Sequence, residues 1–93
     1  MKALTQLLKN ARQDAGLKLR EAAAAAQIDA ALLSKFENGQ RLPPETYAPS
    51  LAKAYQLDEA ILRRSILAEK VAQLLQYEPD VRELLMVAES RIE

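Results

Sequence analysis

An all-α fold is what this sequence predicts, and three observations carry the prediction. Apolar residues recur at spacings of three and four along most of the chain, and no segment reads as a strand. The run Ala22 to Ala26 places five of the strongest helix formers side by side. The breakers are few, with Gly at 2 and Pro at 4 in 93 residues, and most stand between the periodic segments.

Six helices follow in order. From Lys2 to Ala15, Leu4, Leu7, Leu8, Ala11 and Ala15 form one amphipathic stripe, and Gly16 is a natural stop beyond it. Leu19 to Ala26 is a short second helix, opened by Arg20 and Glu21. Asp29 is a good N-cap for a third helix over Ala30 to Glu37, whose apolar face is Leu32, Leu33 and Phe36. Asn38-Gly39 ends it, since both residues tolerate a left-handed backbone, and Gln40 to Pro44 is a loop. Pro44 suits the first turn of a fourth helix carrying Tyr47, Leu51, Ala52, Ala54 and Tyr55 inward, with Pro49 near its start. Asp58 caps a long fifth helix, in which Ile61, Leu62, Ile66, Leu67, Val71, Leu74 and Leu75 spread beyond one narrow stripe. Glu78-Pro79-Asp80 breaks the chain before a last helix bearing Val81, Leu84, Leu85, Val87, Ala88 and Ile92.

A chain of 93 residues holds one domain with at most a short appendage. With no Cys and no His, disulfides, thiolate nucleophiles, Cys-ligated zinc and the usual general base are absent. An enzyme is therefore the least supported class: no catalytic residue, cofactor or small-molecule ligand is expected. The acids of the last two helices, among them Asp58, Glu69, Asp80 and Glu83, read as a solvated face rather than a metal site. No run of about 18 apolar residues is present and the first residues are polar, so a soluble, cytoplasmic chain with no membrane association is expected.

The zero net charge hides an asymmetry. Residues 1–57 hold eight basic groups against five acids, and residues 58–93 hold five against eight. The first part is suited to meet a polyanion and the second to do something else.

Two helices of about eight residues joined by a short turn cross steeply only if the first offers a small residue at the crossing, and Ala23 is that residue. With Leu33 anchoring the next helix, Leu19 to Glu37 has the layout of a helix-turn-helix. The stretch Arg12 to Gly39, including AGLKLREAAAAAQIDAALLSKFENG, resembles the lambda-repressor-like (XRE, Cro/repressor-type) DNA-binding family. The resemblance extends from Leu4 to Leu62, and its most specific pieces are Gly16-Leu17, Ala23, Leu33 to Gly39, and Leu51-Ala52 with Tyr55-Gln56-Leu57.

That resemblance implies a five-helix DNA-binding domain, drawn here as residues 1–63, followed by a C-terminal helical extension over 64–93. It places base-facing positions on Ala30, Ala31, Ser34 and Lys35, of which Lys35 can donate to guanine and Ser34 can serve base or phosphate. Two of the four are methyl groups, so direct readout is thin and phosphate contacts and DNA shape carry more. Leu19 stands where the family often has a polar residue touching the backbone, and Lys18 or Arg20 substitutes. Gln27 stands at the turn usually filled by Gly, at a cost of about 1 kcal/mol if a positive φ is needed. Gln40 and Arg41 lie in the loop that the family uses to hold phosphates through side chains and amides. Arg12 and Glu37 resemble the family's structural ion pair between the first and third helices.

The extension carries more apolar side chains than one small bundle can hide. Ile66, Val71, Leu74, Leu75, Val81, Leu84, Leu85 and Ala88 are therefore expected to form a two-fold interface, so that a homodimer presents two reading helices to successive major grooves of double-stranded DNA. The competing arrangement folds this acidic segment back over its own domain. The function expected is a sequence-specific transcriptional regulator, a repressor or controller bound to a dyad operator. The alternative is a protein-interaction module or antitoxin-like adaptor on the same helices.

Overall fold

The computed structural model describes residues 2–92 and folds them into α1 (Lys2–Asp14), α2 (Leu19–Ala26), α3 (Ala30–Glu37), a single 3-10 turn (Glu45–Tyr47), α4 (Ala48–Tyr55), α5 (Glu59–Leu75) and α6 (Val81–Ser90), with no strand among them. The fold is all-α and lambda-repressor-like, with a C-terminal helix added.

Local chemistry sets the starts of these helices. Asp29 Oδ1 accepts from the amides of Ala31 (2.8 Å) and Leu32 (3.2 Å) at the start of α3. Asp58 does the same for Ile61 (3.0 Å) and Asp80 for Glu83 (3.0 Å) at the starts of α5 and α6. Lys18, whose ammonium has no acceptor to offer, stands before α2, where the Glu21 carboxylate instead takes the Lys18 amide at 2.8 Å.

The ends share one device. In α1, α2, α3 and the α4 segment a left-handed residue closes the helix, at Gly16 (φ 70°), Gln27 (57°), Gly39 (73°) and Gln56 (56°). The next residue then donates its amide back five positions: Leu17 to Arg12 O, Ile28 to Ala23 O, Gln40 to Lys35 O and Leu57 to Ala52 O, at 2.9–3.1 Å. Three of these four following residues, Leu17, Ile28 and Leu57, are apolar and pack into or against the core. The fourth, Gln40, is exposed.

The fourth helix departs from the expected outline. A continuous helix from Pro44 would set the Pro49 ring against the carbonyl four residues earlier. The chain makes the 3-10 turn first, and α4 begins at Ala48 with Pro49 in its first turn, where no amide is needed.

The core lies where α1, α2, α3, α4 and the first half of α5 meet. Leu8, Leu33, Leu51, Leu62 and Ile66 are fully buried, and Ala22, Ala23, Ala26 and Ala52 give the close approaches between α2 and its neighbours. Phe36 meets Tyr47 at 5.6 Å between ring centroids, tilted by 56°. Ile66 corrects the expected interface: it is sealed inside its own domain, because α5 keeps packing on the core for two turns past Asp58, beyond the boundary drawn at residue 63.

Beyond Leu67 the chain leaves the core. α6 buries none of its residues, and the molecule measures 44 × 26 × 21 Å. Its radius of gyration of 14.9 Å exceeds the ~12 Å of a compact chain this long. Among the described residues no helix is long and apolar enough to cross a membrane.

Candidate nucleic-acid interface

α3 divides by face. Leu33, Phe36 and Glu37 point inward and are buried, whereas Ala30, Ala31 and Lys35 are exposed and Ser34 is half-buried. Its own chain leaves the outer surface of this helix uncovered, as a helix that enters a groove requires.

The inward face is held by a polar lock. Arg12 Nε donates to both carboxylate oxygens of Glu37, at 3.0 and 2.8 Å, and an Arg12 Nη donates to Leu17 O at 3.1 Å. The Tyr55 hydroxyl donates to Glu37 Oε2 from the other side. Glu37 is only 2% exposed, and its charge is tolerable because α1 and α4 supply its partners. The hydrogen bonds to Glu37 hold Arg12 above its ordinary pKa, and burial followed by the Glu37 bond raises that of the Tyr55 phenol. Arg12 and Glu37 thus form the ion pair between α1 and α3, and Tyr55 is the third member that sequence reasoning placed only in the core.

At the other end, Lys18 and Arg20 are exposed at the start of α2. Gln40 and Arg41 are exposed after α3, but their backbone amides both donate to Lys35 O, at 3.0 and 3.3 Å. The amides of Gln40 and Arg41 thus close the helix, and their side chains are exposed.

The three acids of the segment are all engaged inside the protein, Glu21 with the Lys18 amide, Asp29 with the α3 amides and Glu37 in the lock. The cations Lys18, Arg20, Lys35 and Arg41 are the exposed counterweight.

Asn38 joins this surface. It is exposed one turn beyond Ser34 and Lys35, and its side-chain amide donates to Ser34 Oγ at 3.2 Å. Sequence reasoning treats Asn38 as a helix stop; its spacing of four from Ser34 was the available signal. Gln27, in the turn, is exposed as well.

A family model described as a helix-turn-helix domain matches residues 3–65, which ends just short of the last core residue, Ile66. No curated protein and no solved structure matches the chain. With α2 packed on α3, the outer face of α3 bare, and the match covering most of its length, the chain belongs to the helix-turn-helix domain family.

Proposed function

We propose that this protein is a sequence-specific DNA-binding transcriptional regulator of XRE type, a repressor or controller that binds a dyad operator as a homodimer. The observation that carries the reading is the bare outer face of α3, with Lys35 exposed and Ser34 beside it on a helix locked from behind by Glu37. In this reading α3 lies in the major groove, and Lys35 donates to a guanine edge. The methyls of Ala30 and Ala31 touch thymine methyls, and Lys18, Arg20, Gln40 and Arg41 hold phosphates through their side chains. Val71, Leu74, Leu75, Val81, Leu84, Leu85 and Ala88 join the two copies.

A fluorescence-anisotropy titration on the duplex upstream of its own gene tests this. Binding should weaken steeply with salt. Lys35→Ala should cost about 1–3 kcal/mol and relax base preference, whereas Arg41→Ala should weaken all sequences alike and lower the salt slope by about one. Unchanged binding in both variants removes these residues from the interface.

The bare apolar side chains of α6 and the methyl groups at two reading positions favour a second reading, a protein-interaction module on the same fold. Absence of DNA binding even at low salt would select it.

A further inference from the structure

The accessible surface is 6566 Å², against the ~5,400 Å² that a compact chain of this length exposes. Among the described residues, nine of the ten large exposed apolar side chains lie between Val71 and Ile92. Covering the excess in a two-fold complex buries about 2,300 Å² in all, in the range of obligate dimers.

The charges flanking the apolar stripe of α6 show what covers it. Arg82 and Glu89 are seven residues apart, two turns, and so lie along one edge of the stripe that runs through Leu84 and Leu85. Asp80 and Arg91 are eleven apart, three turns, and flank the opposite edge. The order of signs is reversed between the edges, and both pairs are centred on the same point, between Leu85 and Met86. A helix with this pattern is complementary to itself run backwards. A parallel copy would bring opposite edges together, with Arg82 two residues out of step with the partner's Asp80 and Glu89 two out of step with the partner's Arg91, whereas the antiparallel copy sets each pair level.

We infer that α6 pairs antiparallel with α6 of a second copy about a two-fold axis between Leu85 and Met86, with Arg82 facing the partner's Glu89 and Asp80 facing the partner's Arg91. The inference rests on the dimeric reading above and fixes its register. The apolar face of α6 closes on its twin, and the exposed end of α5 at Leu74 flanks the seam.

The test uses charge reversal in the full chain. Arg82→Glu alone places two Glu–Glu repulsions in the homodimer, and Glu89→Arg alone places two Arg–Arg repulsions. Each variant should dimerise about tenfold more weakly by sedimentation equilibrium, with helicity and melting of the domain unchanged because α6 buries nothing in it. Mixed one to one, the two variants restore both attractive pairs, so native mass spectrometry should find the heterodimer in excess. The double variant Arg82→Glu/Glu89→Arg should return to wild-type affinity. Single variants that dimerise like wild type, or a mixture no tighter than its parts, overturn the register. A wild-type chain that is monomeric at tens of micromolar overturns the dimer itself.

Discussion

Tyr55 donates its phenolic hydrogen to Glu37 Oε2, the same oxygen that Arg12 Nε holds at 2.8 Å. One carboxylate, eighteen residues before the tyrosine and twenty-five after the arginine, therefore joins α4, α3 and α1 behind the exposed face of α3.

Removing a member should cost stability in proportion to the charge left unmatched. Arg12→Met strands a buried carboxylate and should destabilise by about 3–5 kcal/mol. Tyr55→Phe leaves the ion pair intact and should cost about 1.5–3 kcal/mol. Urea unfolding at neutral pH measures both, and a Tyr55→Phe loss equal to that of Arg12→Met would mean the three groups act as one unit.

The same network should make stability fall at alkaline pH. With the Tyr55 phenol raised above its ordinary pKa by burial and the Glu37 bond, both states keep the proton below about pH 10. Above that the unfolded chain releases it and the folded chain does not, so the folded state binds more protons and stability falls as pH rises. The loss approaches about 1.4 kcal/mol per pH unit from this group. Denaturant titrations between pH 8 and 11.5 should show a steeper decline for wild type than for Tyr55→Phe.

Two of the four left-handed helix ends carry Gln, where a β-carbon is strained. Gln27→Gly and Gln56→Gly should each stabilise by about 0.5–1 kcal/mol, some 2–8 °C in Tm for a domain of this size. Gly16→Ala should destabilise although nothing lies within 4 Å of the added carbon, since its cost comes from φ alone. Calorimetry of the three variants separates backbone strain from crowding.

Much of this architecture is legible in the chain, for identifiable reasons. Asp29 and Asn38-Gly39 bracket α3 because their side-chain and backbone chemistry acts locally, and Arg12 and Glu37 are legible as a pair through the resemblance. Gln56 is not legible as a left-handed stop, because glutamine carries no signal for one; Leu57 behind it supplies the packing that holds it there. The Tyr55 hydroxyl looks like any core aromatic until α4 is set against α3. Ile66 and Val71 look alike in a broad apolar helix, and which is sealed depends on how α5 crosses the core.

That last distinction is itself testable. Ile66→Ala should cost about 2–5 kcal/mol of domain stability, whereas Leu74→Ala, 79% exposed, should leave the melting of the domain within about 0.5 kcal/mol. If Leu74 belongs to the seam, only its variant weakens self-association, which sedimentation reads at the same concentrations.

α5 is rooted at Leu62 and Ile66 in one domain and runs without a break to Leu75. In the dimer proposed above it is an axle between reader and coupling. Each residue inserted after Ile66 twists everything downstream by about 100° and advances it 1.5 Å. Four added residues bring the coupling nearly back into phase some 6 Å further out. Which operator spacing such a pair would accept is thus geared by the length of this shaft, independently of the letters that α3 would read.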